Sequence, residues 1–149
     1  MKATTALLAD HKMVRKILKE FRLDNPRFPE ILKTLHRVLL GHAWFEDEVF
    51  LPAFRAEPLL QKRFTDEISQ EHNDLHFLMT TLRGTNLKNK KELEAIALQF
   101  RTVLDTHFSK EEDALFPMAE RILDEEGLNK LGDEMRRRQA ENKGMIKPI

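Results

Sequence analysis

The sequence has no cysteine and no tyrosine, and only 5 glycines and 6 prolines among 149 residues. The absence of cysteine excludes disulfides, thiolate catalysis, iron–sulfur clusters and cysteine-ligated zinc. Any metal chemistry must therefore use imidazole and carboxylate ligands. Few turn-forming residues combined with 34% charged residues favour long helices over a turn-rich β architecture.

A charge excess and a long apolar run are also missing. Lysine plus arginine and aspartate plus glutamate number 25 each, so no overall field draws the protein to nucleic acid or to an anionic membrane. No apolar run approaches the roughly 20 residues that a bilayer span needs. We therefore expect a soluble cytoplasmic protein with neither a nucleic-acid nor a membrane partner.

Apolar periodicity predicts four helices, over about residues 4–22, from Pro29 to near Pro52, over 58–83 and over 90–124. Similar helices with short loops predict an all-α, up-down-up-down four-helix bundle over residues 1–126. Pro117 is expected to kink the last helix. Residues 127–149 are expected to form a C-terminal extension, with a short amphipathic piece before a polar tail that is frayed or packed outside the bundle.

The histidines carry the functional signal. The sequence has six, and all except His36 fall on the predicted inward stripes of four different helices. His36 is expected to be partly exposed. Three ligand pairs are spaced four residues apart, so about 40° separates their directions and both side chains reach one ion. Together with the histidine of the first helix, the candidate metal ligands are His11, His42, Glu46, His72, His76, His107 and Glu111.

Burying so many ionisable groups costs several kcal/mol each unless something compensates, and a metal does so. Two octahedral ions offer about twelve ligand positions. Five imidazoles, two bridging carboxylates and one bridging oxo or hydroxo group leave roughly one position open, on the ion with fewer histidines. A small ligand such as O₂, NO or azide would bind there.

An internal repeat relates the two halves of the chain. Residues 42–52 match residues 107–117 in their histidine, three acids, hydrophobic trio and proline. Asp10-His11 similarly matches Glu71-His72, but Arg15 stands where the third helix has a second histidine. The predicted site therefore has approximate two-fold symmetry, but one half has a histidine ligand fewer than the other. Arg15 is expected to face solvent.

Acidic residues flank both His-x-x-x-Glu motifs: Asp47, Glu48, Glu112 and Asp113. They are expected to form a solvated acidic face, with the alternative that one of them accepts a hydrogen bond from an imidazole.

The ligand types leave iron, manganese, zinc and copper open. A zinc-protease helix needs glutamate directly after the first histidine, and His72 is followed by Asn73. Ferritin-like carboxylate bundles use Glu-x-x-His, which occurs nowhere in the chain.

One histidine followed by His-x-x-x-Glu, His-x-x-x-His and His-x-x-x-Glu resembles the hemerythrin-like, or HHE cation-binding, domain over about residues 4–124. The resemblance implies a non-haem di-iron centre with an oxo or hydroxo bridge. It implies the following ligands: Glu46 and Glu111 bridging, His72, His76 and His107 on one iron, and His11 and His42 on the other.

The last motif departs from the oxygen-carrying hemerythrins. These have aspartate five residues after the histidine, whereas Glu111 follows His107 by four residues and Glu112 by five. The longer glutamate is expected to reposition the bridge. Relatives with this shorter spacing are associated with oxygen or iron sensing and with nitric oxide or peroxide stress.

The sequence therefore predicts a di-iron protein with one open coordination position for O₂, NO or peroxide, which would serve oxygen binding, sensing or scavenging. Two alternatives remain. One is an oxidoreductase that acts on peroxide, O₂ or NO, and the other is a structural or regulatory metal-binding bundle.

Overall fold

The computed structural model of the chain describes residues 1–55, 57 and 62–141. Over these ranges the protein is helical and has no strand, which confirms the all-α bundle. The α-helices are α1 (Ala3–Leu18), α2 (Phe28–Phe45), α3 (Lys62–Gly84), α4 (Lys90–Lys110), α5 (Phe116–Ile122) and α6 (Glu125–Glu141). No helix among the described residues combines the length and apolar character that a membrane crossing requires.

The first helix ends earlier than predicted. Helix α1 stops at Leu18, and Asn25 organises the following turn, where its side-chain oxygen accepts the N–H of Arg27 at 2.9 Å. The predicted start of the third helix at Pro58 lies outside the described residues. The described part of that helix begins at Lys62.

Helices α2 and α4 each continue into a π-helical turn. The turns cover Glu46–Phe50 and Glu111–Leu115, so each begins at the glutamate of a His-x-x-x-Glu motif. A proline follows each turn within two residues, at 52 and 117. Since a proline ring clashes with the carbonyl four residues earlier in α geometry, a wider turn relieves that clash. The predicted kink at Pro117 is therefore a π turn that leads into α5.

Two apolar clusters form the core, with a polar layer between them. The first apolar cluster includes Val14, Leu39, Leu75, Phe100 and Phe108. The second apolar cluster includes Leu7, Phe45, Phe50, Ile68 and Leu115. Helices α1, α2 and α3 each contribute to both clusters, whereas α4 contributes to the first and is followed by a π turn whose Leu115 belongs to the second. The buried histidine of each helix lies between: His11, His42, His72 and His107.

The C-terminal extension packs against the bundle. Helix α6 contacts α1 and contributes Met135, which is 5% exposed, to the second apolar cluster. At Gly132 the backbone of α6 comes so close to the N-terminal chain that a Cβ would overlap the carbonyl oxygen of Met1. The extension forms a helix of 17 residues instead of a short one, and its polar tail, predicted over residues 136–143, stays helical as far as residue 141. Of the two expectations for this tail, packing outside the bundle agrees with the contact between α6 and α1, and fraying does not. Residues 142 and 143 of that tail lie outside the described residues.

The buried face of α2 is rotated from the predicted stripe. The apolar periodicity of the second predicted helix puts Ile31 and Val38 in its inward stripe. Both are only partly buried, whereas Leu32 and Leu39, one position further along, belong to the first apolar cluster. His36 lies on the same face and is 1% exposed, so the expectation of a partly exposed residue is wrong. Its position four residues after Leu32 and three before Leu39 is the signal that identifies it as buried.

Candidate metal centre

Six of the seven candidate ligands meet in the polar layer. Among the described residues, two groups have ligand atoms that all lie within 4.8 Å of one another, and Glu111 belongs to both. The larger group is Glu46, His72, His107 and Glu111, and the smaller is His11, His42 and Glu111. Every member is buried, and both glutamates are 0% exposed.

The four histidines direct the same ring nitrogen, Nε2, toward the two glutamates. His72 Nε2 lies 2.8 Å from Oε1 of Glu46, and His42 Nε2 lies 3.3 Å from that same oxygen. On the other glutamate, Oε1 of Glu111 lies 3.0 Å from His11 Nε2 and 3.4 Å from His107 Nε2. His42 is also 3.7 Å from this oxygen, so one imidazole reaches both carboxylates.

The outward nitrogen, Nδ1, of each of these histidines donates to a carboxylate on another helix or π turn. His42 pairs with Asp10 at 3.0 Å, and His107 pairs with Glu71 at 2.8 Å. His72 pairs with Asp47 at 3.0 Å, and His11 pairs with Glu112 at 2.6 Å. Carboxylates in this position fix the ring orientation and the tautomer of metal-binding histidines, and they make the ring a stronger ligand.

These outer carboxylates follow the internal repeat. Asp10 and Glu71 directly precede His11 and His72 in matching motifs, and Asp47 and Glu112 directly follow the two glutamates. The expected solvated face is therefore correct only for Glu48 and Asp113, which are exposed. For Asp47 and Glu112 the alternative reading, an acceptor for imidazole N–H, is the correct one.

Three of the outer carboxylates have a further polar partner. Both terminal nitrogens of Arg15 donate to Glu112, at 2.8 and 3.2 Å, so Arg15 does not simply face solvent as expected. Lys110 donates to Glu71 at 2.6 Å, and Ser69 donates to Asp47 at 2.8 Å. The pKa values of Glu71 and Glu112 are lowered, because these hydrogen bonds outweigh the effect of burial.

Four buried polar atoms at the centre have no hydrogen-bond partner within the part of the chain that the structure describes: Nε2 of His42, Oε2 of Glu46, Nε2 of His107 and Oε2 of Glu111. Each such atom costs about 1–3 kcal/mol in a protein interior. Imidazole nitrogen and carboxylate oxygen are the donor atoms that iron, zinc and manganese take. The orphaned atoms and the converging geometry therefore fit a metal ion.

The pKa values show how strongly the centre attracts positive charge. Burial lowers the pKa of His72, but hydrogen bonds to Asp47 and Glu46 raise it to about 10. Burial also lowers the pKa of His42, but the charge of Glu46 and the hydrogen bond to Asp10 act together to raise that pKa well above its ordinary value. Burial and the charge of Glu46 raise the pKa of Glu111 well above its ordinary value. Burial and these interactions thus favour protonation of the groups around Glu46, whose own pKa is lowered well below its ordinary value by the charge of His42 and by hydrogen bonds that outweigh burial.

The seventh candidate, His76, is placed differently. It is exposed, belongs to neither ligand group, and its Nδ1 lies 2.8 Å from Nε2 of the buried His36. Its partner is therefore an imidazole instead of a carboxylate. The sequence pattern offered no hint of this pairing, since His36 and His76 are 40 residues apart.

A small cavity adjoins the ligand groups on the side of the first apolar cluster. About 20 Å³ is open to the centre of a water-sized molecule, which is room for roughly one such molecule. Its polar lining comes from five histidines, His36, His42, His72, His76 and His107. Its apolar lining includes Leu39, Leu75, Met79 and Phe108. Phe108 also stacks on the ring of His11 at 3.7 Å between centroids.

Comparison with known families agrees with this geometry. A family model described as the hemerythrin HHE cation binding domain matches residues 2–119, and a second, overlapping match covers 64–147. The chain belongs to the hemerythrin HHE cation-binding domain family. Searches of curated proteins and of solved structures found no match.

Proposed function

We propose that the protein binds two iron ions in the polar layer and holds a small ligand such as O₂ beside them. The proposal rests on the four buried nitrogen and oxygen atoms that have no hydrogen-bond partner among the described residues. Two bound metal ions would give each of these atoms a partner. Two ligand groups that share Glu111 support two ions instead of one. The ions would supply reversible binding or redox chemistry toward the small ligand.

The residues divide between the two positions. Glu46, His72, His107 and Glu111 would hold one ion, and His11, His42 and Glu111 the other. Glu46 also lies 3.3 Å from His42, which supports a second bridge between the two positions. The raised pKa values of His42, His72 and Glu111 mean that these groups hold their protons more strongly than usual. Metal binding would displace those protons.

The cavity supports a diatomic or similarly small ligand. Its histidine side would place the ligand against the ions, and its apolar side would exclude water and larger substrates. NO and peroxide have the same size as O₂ and stay within the proposal. We propose storage, sensing or scavenging of such a ligand as the role.

Substitution of the shared glutamate tests the two-ion arrangement. Glu111→Gln keeps the side-chain shape but removes the charge common to both groups, so we expect loss of both irons after anaerobic reconstitution. His11→Ala should lose only the ion of the smaller group. The exposed Asp113→Asn, two residues from Glu111, is the matched control and should retain both. Iron content per chain measures all three, and stoichiometric zinc alone in the wild-type protein would overturn the proposal.

A larger side chain in the cavity tests the small-ligand role. Ala43 lines the cavity from α2 and is not a ligand. Ala43→Val should leave the iron content unchanged and weaken azide or NO binding by about tenfold, since crowding a filled space costs about 1–3 kcal/mol. Spectroscopic titration measures the affinity. Unchanged affinity would place the bound ligand outside this cavity.

A further inference from the structure

The buried His36 contacts a second polar side chain besides His76, that of Arg83. The guanidinium Nη1 of Arg83 lies 3.5 Å from Nδ1 of His36, and Nε2 of His36 lies 2.8 Å from Nδ1 of His76. The three side chains thus form a chain of polar contacts from α3 through α2 and back to α3. It ends at the cavity, which both histidines line.

Arg83 determines which nitrogen of His36 carries the proton. A guanidinium has only donors, so the ring nitrogen that faces it, Nδ1, must offer a lone pair. The positive charge also disfavours an N–H dipole pointing toward it. Above the ordinary histidine pKa of about 6.5, the ring of His36 is neutral and has one proton. The single proton of His36 is therefore on Nε2.

That proton fixes the tautomer of His76. Nε2–H of His36 donates to Nδ1 of His76, so Nδ1 of His76 holds a lone pair and its proton is on Nε2. An imidazole binds a metal only through a nitrogen without a proton. The four histidines of the ligand groups are paired in the opposite sense, since their Nδ1–H groups donate to carboxylates and leave Nε2 for the metal.

We propose that Arg83 and His36 form a latch that withholds His76 from the metal centre by holding it in the tautomer whose Nε2 cannot coordinate. Release requires that Arg83 leave Nδ1 of His36, after which both hydrogen bonds of the chain reverse. The ion beside His72 and His107 would then gain a third imidazole on its cavity side. This inference deepens the proposed function and rests on it for its consequence, but the tautomer itself is a property of the protein alone.

Two substitutions of Arg83 separate the latch from a structural role. Arg83→Lys keeps a positive, donor-only group, whereas the amide of Arg83→Gln also offers an oxygen that accepts Nδ1–H of His36. In the full-length chain without metal, long-range ¹H–¹⁵N NMR at about pH 9, above the ordinary histidine pKa of about 6.5, reports the tautomer of His76. We expect Nε2–H in the wild type and in Arg83→Lys, and Nδ1–H in Arg83→Gln.

Nδ1–H on His76 in the wild-type chain, or Nε2–H in Arg83→Gln, would overturn the latch. His36→Gln is a second variant that should release His76 from this tautomer. The amide oxygen of the glutamine accepts Nδ1–H of His76, and Arg83 has no part in that hydrogen bond. We expect Nδ1–H on His76 in that variant too, and persistence of Nε2–H there would count against the proposal.

Titration with Co²⁺ measures how the tautomer of His76 affects the metal affinity of the larger ligand group. Arg83→Gln should bind the ion of the larger ligand group about tenfold more tightly than the wild type, in line with the effect of outer hydrogen-bond partners on metal affinity. Arg83→Lys should not differ from the wild type, and equal tightening in both variants would overturn the latch. Failure of every chain to bind metal would instead contradict the proposed function, while the NMR result would still decide the tautomer.

Discussion

Each imidazole of the centre is held between two carboxylates, one inside and one outside. His72 illustrates this, because Glu46 faces its Nε2 and Asp47 accepts its Nδ1–H. The inner pairing presents the ring to a cation, and the outer pairing fixes the ring plane and the tautomer. Metal affinity is therefore expected to depend on residues that do not contact the ion.

Removal of an outer charge tests that dependence. Asp47→Asn keeps the size of the side chain but weakens the acceptor for His72, so we expect metal affinity to fall by about 10–100-fold. The exposed neighbour Glu48→Gln carries the same loss of charge and should bind as the wild type does. Competition with a chromophoric chelator measures both affinities. Equal weakening in the two variants would show that net charge, and not the hydrogen bond, sets the affinity.

The lowered pKa of His36 predicts acid sensitivity of the metal-free protein. Because the pKa of about 4 in the folded chain lies below the ordinary value of 6.5, the unfolded chain takes up the proton first. This contribution to stability is full above pH 6.5 and is lost as the pH falls toward 4, up to about 3 kcal/mol. Urea unfolding at several pH values should show a shallower fall in His36→Gln. A parallel pH dependence of the two proteins would contradict the assignment.

The sequence predicted the six residues that meet in the polar layer together with His76, which does not join them, and it offered the outer carboxylates Asp47 and Glu112 only as an alternative. A spacing of four residues fixes the relative directions of His42 and Glu46 on any helix, so that pair was predictable. Asp10 reaches His42 from another helix, 32 residues away, and no spacing rule gives that distance. The internal repeat carried the missing signal, since each outer carboxylate adjoins a ligand at a matching position in both halves.

The helices position these residues through local devices that the sequence shows only in part. Both His-x-x-x-Glu motifs end in a π turn, and periodicity calculated for an α-helix cannot predict where a turn widens. The proline after each motif marks the place. Periodicity also gave the wrong buried face for α2. Two apolar stripes one position apart fit its sequence nearly equally well, and the structure buries the other one.

Packing of α6 against α1 depends on a single small residue. A Cβ at Gly132 would overlap the carbonyl oxygen of Met1, so Gly132→Ala should push the helices apart and destabilise the protein by about 1–3 kcal/mol. At Gly41, in the interior of α2, an added Cβ would have no neighbouring atom within 4 Å. Gly41→Ala should therefore stabilise the protein by about 0.5–1 kcal/mol. Thermal unfolding followed by circular dichroism compares the two, and a neutral Gly132→Ala would contradict the close approach.

The whole molecule is two apolar clusters joined through a polar layer. The long helices share that layer, so whatever satisfies its orphaned atoms also ties the two clusters together. The sequence predicted a central polar layer, because each helix has its histidine within an apolar stripe. The burial of His36 was missed because the predicted stripe on α2 was displaced by one position, and packing of the C-terminal extension outside the bundle was only one of two expectations for it.

Metal binding should therefore stabilise the entire fold. A metal present at 100 times its Kd adds about 2.7 kcal/mol, which raises Tm by roughly 5–10 °C in a domain of this size. Differential scanning calorimetry of the iron-loaded and metal-free protein measures the shift. An equal shift in Glu111→Gln would mean that the stabilising metal binds elsewhere on the chain.

Anomalous X-ray scattering at the iron edge, from crystals of the iron-loaded protein, locates the bound ions. We expect two iron peaks in the polar layer that share Glu111, one beside His72 and His107 and the other beside His11 and His42. A single peak, or peaks away from these residues, would contradict this arrangement.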